Sequence, residues 1–305
     1  MPCRGAIPLL LVLVLSGCSA VGDARISPDA AVTTSPSSPP SVPVPSPTKA
    51  PVVLPPASVV LPPVSAIFGG DISWPSCPLG TPGALPKKQP KGLPLPGPQA
   101  QFVLIGLTNG PGFYPNPCLA WEVRQAKLRH LATAAYAFTT LPNPNQIHEY
   151  GGNGPYSRST ALGRLRNASW AQAQINLASL RRTGLRTPVI WMDVEPQDYL
   201  SPWGSDVVAN RAAIVAIKKA YRDAGYRTGF YSSDRPWRKI TGGLQDSSPT
   251  WVTVGPRGRP AATAKCAART FSGGRAVLAQ WWDRPVEDLD LVCPGREAEA
   301  LFALS

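Results

Sequence analysis

Short apolar runs alternate with helical patterns over most of the chain after residue 66, and this alternation constrains the fold more than any other feature. The apolar runs, bounded by Gly, Pro and Asn, cover residues 66–74, 102–107, 133–139, 188–195 and 226–232. Apolar residues recur at helical spacing over residues 119–131, over 169–183 behind Asn167 as a possible N-cap, and over 205–224. Strands that alternate with helices pair in parallel, so the sequence predicts an α/β fold.

After the fifth apolar run, the regular alternation of strand and helix patterns ends. Apolar runs at 251–254 and 277–282 leave little room for helices between them, which predicts a β/α barrel that ends in strands. The alternative is a doubly wound open sheet, which normally carries a glycine-rich phosphate loop after its first strand. Here Gly69 and Gly70 precede Asp71, and neither G-x-G-x-x-G nor a Walker sequence occurs.

The N-terminus indicates export. Arg4 is followed by an apolar run over residues 7–15 and then by Ser16-Gly17-Cys18, which reads as a signal peptide and resembles the lipobox of bacterial lipoproteins. The run has about half of the ~20 apolar residues that a membrane span requires. The sequence therefore predicts that residues 1–17 are removed and that Cys18 becomes a lipidated N-terminus, which would place the protein outside the cytoplasm on the bacterial cell membrane.

Residues 18–66 are predicted to form a linker. From residue 26 to residue 65 the chain is mostly Pro, Ser, Val, Ala and Thr, and its only charges are Asp29 and Lys49. Such a segment cannot form a core and favours extended polyproline II, with a reach on the order of 100 Å, although a disordered tether would serve the same purpose. Residues 67–305 are long enough for one globular domain with a sizeable core.

The net charge of +12 indicates anionic polymers or lipid headgroups as the surroundings of an exported protein. Nucleic acid, the usual partner of a basic chain, is seldom met outside the cytoplasm and is not expected as a partner.

The mature domain retains four cysteines, and an even number outside the cytoplasm implies disulfides. Three pairings are possible; we favour Cys77 with Cys118 and Cys266 with Cys293, because each pair would flank adjacent strands of the predicted layout. No C-x-x-C occurs, and both histidines lie far from any cysteine in sequence, so we expect no metal and no cofactor.

Four segments along the chain carry a further signal. They are Gly70-Asp71-Ile72-Ser73, the second-strand run 102–110, Val189-Ile190-Trp191-Met192-Asp193-Val194-Glu195, and Ala279-Gln280-Trp281-Trp282 with Asp288-Leu289-Asp290-Leu291 after it. In sequence and in order they resemble motifs of the lysozymes of glycoside hydrolase family 25. The last pair resembles the family's W-Q-Y and D-L-N. The resemblance covers residues 68–293 and implies a TIM-like barrel of the (β/α)5β3 type.

The resemblance makes Glu195 the proton donor, with Asp193 orienting it or stabilising an oxocarbenium-like transition state. Asp71 and Asp290 would contribute charge from the facing strands. Strand geometry agrees, because residues two apart point to one face, and two carboxyl groups in one pocket raise the pKa of one of them. Taken alone, a D-x-E at a strand end could instead cap a helix or pair with Arg211.

Aromatic and amide side chains at strand ends are predicted to bind the substrate, because sugar rings stack on aromatic faces. The predicted contacts are Tyr136, Trp191, Tyr231, Gln280 and Trp281. Gly106 and Asn109 stand where the family commonly has charged residues. A proline-rich insertion over residues 78–98, which carries three lysines, could overhang the cleft.

These features predict a glycoside hydrolase that acts on cell-envelope glycan, with muramidase-like cleavage of peptidoglycan as the preferred reaction. The alternative is an inactive barrel that binds peptidoglycan or another envelope polysaccharide and tethers it to the membrane. No Ser/His/Asp or metal-ligand set supports an amidase or a peptidase.

Overall fold

The computed structural model describes residues 67–196, 203–284, 287–295 and 301–304. The predicted signal peptide, the lipidation site Cys18 and the linker 18–66 lie outside these residues. Within the described ranges, no helix has both the length and the apolar character needed to cross a bilayer.

Eight strands form a closed barrel, which confirms the predicted fold class. They are β1 (Phe68–Ile72), β2 (Phe102–Gly106), β3 (Ala132–Phe138), β4 (Val189–Asp193), β5 (Arg227–Ser232), β6 (Thr250–Thr253), β7 (Ala276–Arg284) and β8 (Glu287–Val292). Neighbours from β1 to β7 pair in parallel, whereas β8 lies antiparallel between β7 and β1 and closes the ring. A short strand, β9 (Ala303–Leu304), pairs antiparallel with β3.

Five β/α units are present, but they begin at β2 and not at β1 as predicted, and the last one places a helix between residues 254 and 276, where the sequence left little room for one. Helices follow each strand from β2 to β6. They are α1 (Leu119–Leu128), α2 (Pro144–Tyr150), α3 (Ala161–Thr183), α4 (Val207–Asp223), α5 (Asp234–Thr241) and α6 (Gly258–Lys265). The connection from β1 to β2 differs, because it contains one 3-10 turn, Trp74–Ser76, followed by the proline-rich insertion. The carboxyl ends of β1 to β7 define what we call the upper end of the barrel.

The helix predicted over residues 169–183 begins earlier, and the proposed cap at Asn167 is wrong. Thr160 caps α3 by accepting a hydrogen bond from the Gly163 amide at 3.0 Å. Asn167 is buried inside the helix, where its Nδ2 donates to the carbonyls of Gly151 and Tyr156. Its polar side chain therefore anchors the loop before α3 rather than the helix start.

Alternation along the strands divides the core into two layers. One layer fills the space between barrel and helices and includes Ile105, Leu177, Ile214, Phe230 and Trp281. The other fills the barrel interior and includes Phe102, Leu104, Trp191, Trp251 and Leu278. At the lower end the Phe302 ring closes the interior against Phe102, with ring centroids 4.3 Å apart.

Both predicted disulfides are confirmed, one at each end of the barrel. Cys77–Cys118 joins the segment after β1 to the start of α1, at the upper end, with a Cα–Cα distance of 5.5 Å. Cys266–Cys293 joins the end of α6 to the end of β8, at the lower end, with the same Cα–Cα distance. The first disulfide thus fixes the base of the proline-rich insertion, and the second fixes the closing strand.

Candidate active site

A cleft of about 290 Å³ opens at the upper end of the barrel, where catalytic groups of β/α barrels are found. Four carboxyl groups line it, from β1, from the end of β4 and from β8. The complete lining is Asp71, Tyr136, Asp193, Glu195, Tyr231, Trp251, Gln280, Trp282 and Asp288. The cleft therefore collects acids from three separate strands and surrounds them with aromatic rings.

The Asp193-Val194-Glu195 segment is placed by the end of β4. Both carboxyl groups line the cleft, whereas Val194 is buried in the helix-facing core, as strand alternation predicts. The Val194 amide donates to the Tyr231 carbonyl at 2.9 Å, and the Glu195 carbonyl accepts from Trp203 Nε1 at 2.7 Å. These backbone bonds fix the direction in which the two carboxyl groups point.

Burial and, to a smaller extent, the nearby charge of Asp288 together raise the pKa of Glu195 to about 7. The pKa of Asp193 lies well above its ordinary range, first because of burial and then because of Glu195 and Asp71. The sequence interpretation assigned the raised pKa of Glu195 to the Asp193 charge. The structure instead identifies Asp288, which sequence reasoning missed, as the neighbouring charge that acts on Glu195.

A chain of hydrogen bonds crosses the floor of the cleft. Tyr231 Oη donates to Gln280 Oε1 at 2.7 Å, and Gln280 Nε2 donates to Asp71 Oδ2 at 2.7 Å. Burial and the nearby charge of Asp288 raise the pKa of Asp71 to about 8, although hydrogen bonds to the carboxyl group oppose the shift. Gln280 and Tyr231, both predicted from sequence, thus orient Asp71.

Tyr136 lines the cleft, and its ring explains why Gly106 departs from the family pattern. A Cβ atom at Gly106 would lie 2.9 Å from Tyr136 Cζ and 2.5 Å from Ser73 Cβ. Any side chain at position 106 would displace Tyr136 from the cleft wall. The absence of a charged residue there is a packing requirement of this chain.

Two predicted substrate contacts, Trp191 and Trp281, do not reach the cleft. Trp191 is fully buried one layer below Asp193, where it packs edge-on against Trp251 at 6.2 Å between ring centroids. Trp281 points into the helix-facing layer, edge-on to Phe68 at 6.4 Å. Because Gln280 faces the barrel interior, alternation turns Trp281 away and brings Trp282 to the cleft instead.

The predicted catalytic Asp290 is also absent from the cleft lining and is fully buried. The strand register pairs Asp71 with Asp288 and pairs Gly69 with Asp290. Asp288 therefore reaches the cleft, while Asp290 lies one layer deeper. The D-L-N resemblance contained the signal, because its first residue is Asp288, but two acids on one strand face cannot be ranked by depth from sequence alone.

The proline-rich insertion forms one wall of a smaller compartment of about 50 Å³ beside the cleft. This compartment shares Asp71, Tyr136 and Asp288 with the cleft and is also lined by Leu93, Pro94 and Pro96. The insertion is held by Asn109, whose Oδ1 accepts from the Leu85 amide at 2.7 Å and whose Nδ2 donates to the Lys88 carbonyl at 3.0 Å. Asn109 thus has a structural partner within the chain.

One group of potential metal ligands was found among the described residues, Cys77, Cys118 and Glu122. The two cysteines are bonded to each other, so neither offers a thiolate. Glu122 is fully buried, which raises its pKa to about 8, and it accepts a hydrogen bond from Asn116 Nδ2 at 2.7 Å. The disulfide therefore accounts for this group without an ion.

One known protein family matches part of the chain. The family described as Lysozyme-like protein 1 matches residues 163–262. No curated protein matches the chain.

The similar solved structures are all distant in sequence. A family GH25 lysozyme from Aspergillus fumigatus is 14% identical, with a TM-score of 0.47 over 78% of this chain and 100% of that one. A bacterial lysozyme from Streptomyces coelicolor is 14% identical, with a TM-score of 0.49 over 77% and 95%. The catalytic domain of endolysin ply40 from bacteriophage P40 of Listeria monocytogenes is 14% identical, with a TM-score of 0.44 over 76% and 94%. The family match shows that residues 163–262, which include the Asp193-Val194-Glu195 segment, are similar to a lysozyme-like family.

Proposed function

We propose that this protein is a glycoside hydrolase that acts on cell-envelope glycan, with muramidase-like cleavage of peptidoglycan as its reaction. The observation that carries the proposal is the placement of Glu195 beside Asp193 in an acid-lined cleft, with a Glu195 pKa of about 7. A carboxylic acid that stays protonated near neutral pH is the group that a glycosidic leaving oxygen requires.

In the proposed reaction Glu195 donates its proton to the glycosidic oxygen as the bond to the anomeric carbon breaks. Positive charge then develops on the sugar ring, and the carboxyl groups of Asp193, Asp71 and Asp288 surround the place where it forms. Water then adds its oxygen to the anomeric carbon and gives up one proton, which replaces the proton that Glu195 lost. The rings of Tyr136 and Tyr231 offer faces on which a sugar can stack.

A second candidate is a barrel that binds glycan without cleaving it. Two observations favour it: the Tyr136 ring fills the space beside Gly106, and Asn109 holds the insertion. Gly106 and Asn109, which stand where family members commonly have charged residues, therefore have structural contacts within this chain. A substrate would have to be bound by other contacts, of which the wall formed by Leu93, Pro94 and Pro96 is the most prominent.

Incubation of the domain, residues 67–305, with purified peptidoglycan separates the two candidates. A hydrolase generates new reducing ends, and a muramidase leaves N-acetylmuramic acid at them. A binding barrel sediments with the insoluble glycan and generates none. If neither reducing ends nor co-sedimentation is found with peptidoglycan or with any other wall polysaccharide, both candidates fail.

We also propose that Cys18 anchors the protein outside the cytoplasm, since two disulfides form within the described domain. Cys18→Ser should release the protein from membranes with its domain folded, because the predicted linker separates the anchor from the barrel. Membrane fractionation measures this, with Cys3→Ser as the matched control. Retention of the Cys18→Ser protein in the membrane fraction would contradict the lipid anchor.

A further inference from the structure

Asp290 is an acid in a buried position below the cleft, where an ionised carboxyl group is normally unfavourable. Its Oδ1 accepts a hydrogen bond from Trp251 Nε1 at 2.7 Å. Its Oδ2 is buried and receives no N–H donor from the residues that the structure describes. An ionised carboxylate in this position would leave one charged oxygen without compensation, at a large free-energy cost.

The acid Asp71 lies near Asp290 on the neighbouring strand, where Asp290 pairs with Gly69, two residues from Asp71 on the same strand face. Asp71 and Asp290 face the barrel interior from the antiparallel neighbours β1 and β8, and their side chains are in hydrogen-bonding contact. Two carboxylates repel each other, so contact between carboxyl oxygens requires a proton between them.

The surroundings decide which of the two acids carries that proton. Asp71 is partly exposed at the cleft and accepts a hydrogen bond from Gln280 Nε2, which stabilises its ionised form. Asp290 is fully buried, and its one donor is the neutral indole of Trp251. The ionised form is therefore more costly at Asp290 than at Asp71.

We propose that Asp290 is a positioning residue, whose Oδ2 carries a proton and donates a hydrogen bond to a carboxyl oxygen of Asp71. Asp71 is then held from two sides, by Gln280 and by Asp290, with its carboxyl group at the cleft. In this arrangement Asp290 contributes no charge to the reaction. The proton pairing does not depend on what the protein does, whereas its importance for catalysis rests on the proposed glycosidase function.

The charged groups that face Asp290 are both acidic. They are Asp71 on β1 and Asp288 on β8 itself, and both act with burial to raise the pKa of Asp290 well above its ordinary range. In the unfolded chain Asp290 ionises near pH 4. A carboxyl group with a raised pKa in the folded state costs stability as the pH rises above about 4, and the cost grows until the folded pKa is passed.

Asp290→Asn tests the proposal, because the amide Nδ2 can replace the Oδ2–H donor while Oδ1 keeps its bond to Trp251. We expect the variant and the wild type to unfold at similar temperatures near pH 4, and the variant to become increasingly more stable than the wild type up to pH 8. The control is Asp288→Asn, which makes the same Asp-to-Asn change at a more exposed side chain on the same strand. It should show a much smaller pH-dependent gain.

A second measurement needs no variant. Carbon-13 NMR of the wild-type protein should show an assigned Asp290 carboxyl resonance that stays in its protonated position from pH 5 to pH 7. A resonance that titrates near pH 4 would overturn the proposal, as would equal pH dependence of stability for Asp290→Asn and wild type.

The activity arm uses reducing-end release from peptidoglycan. Asp290→Asn should retain activity within a few-fold, whereas Asp71→Asn should lose most of it. Equal losses in the two variants would show that the charge of Asp290 takes part in the reaction, against the proposal. If the wild type releases no reducing ends, the glycosidase function fails, and the stability and NMR measurements still decide whether Asp290 holds the proton.

Discussion

The upper and lower layers of the barrel interior are built from the same strands but differ in chemistry. On β4, Asp193 lines the cleft, whereas Trp191, two residues earlier on the same face, is fully buried below it. The upper layer holds four carboxyl groups with raised pKa values among aromatic rings, and the lower layer holds mainly apolar and aromatic side chains together with the buried Asp290. A shift of two residues along one strand therefore separates a group that can react from a side chain that packs in the core.

The lower layer is shaped around its largest ring. A Cβ atom at Gly229 would lie 2.3 Å from Trp191 Cζ3, so only glycine lets β5 pass beside the indole. Trp251 contacts both Trp191 and Tyr231 and donates to Asp290. Trp251 thus connects the two layers, and the layers should respond differently to substitution.

Trp191→Ala should give the largest loss of stability. Removing a fully buried Trp leaves a cavity and costs about 3–5 kcal/mol in the free energy of unfolding. Denaturant unfolding at pH 5 measures this, and Trp282→Ala, at the cleft, serves as the control and should cost much less. Comparable losses for the two variants would remove the distinction between the layers.

The two disulfides extend the comparison to the ends of the barrel. Their sequence separations are 41 residues for Cys77–Cys118 and 27 for Cys266–Cys293. In the chain-entropy description, each contributes about 3.5–4 kcal/mol to stability. Replacing either pair with serines should lower the unfolding temperature by similar amounts.

Activity should separate the two disulfide variants. Loss of Cys77–Cys118 frees the base of the insertion beside the cleft and should also lower reducing-end release by the protein that remains folded. Loss of Cys266–Cys293, at the lower end, should leave the activity of folded protein unchanged. A larger loss of activity from the lower disulfide would contradict the assignment of chemistry to the upper end.

Asp288→Asn should have the smallest effect and refines the description of the upper layer. Removing this charge lowers the pKa of Glu195, so the proton donor ionises at lower pH. The alkaline limb of the activity profile should therefore move to lower pH, by less than about one pH unit. The control is Asp283→Asn on β7, and a shift to higher pH in the Asp288 variant would show that the sign is wrong.

The sequence predicted the barrel, both disulfides and the acids at the end of β4, because these follow from strand alternation and local motifs. It did not predict how far below the cleft each interior side chain lies. Trp191 and Tyr136 both lie near strand ends, yet only Tyr136 reaches the cleft, and Asp288 and Asp290 share one strand face in the same way. For the two acids, depth depends on the register between β1 and β8, which pairs residues more than two hundred positions apart.

The misplacement of Trp281 has a different cause. Gln280 and Trp281 are consecutive strand residues, so they cannot both face the barrel interior. Period-two alternation alone was enough to exclude one of them. In contrast, the bond between Asn109 and the insertion could not be predicted, because the path of a proline-rich segment has no periodic signal.

The central claim is that Glu195 in the upper layer is the proton donor of a glycosidase, and Glu195→Gln tests it most directly. Glutamine keeps the shape of the side chain but has no transferable proton. At pH 5, the variant should unfold at a temperature close to that of the wild type and should still sediment with peptidoglycan, while its rate of reducing-end release falls at least about 100-fold. Release at the wild-type rate by folded Glu195→Gln protein would contradict the assignment of Glu195 as the acid.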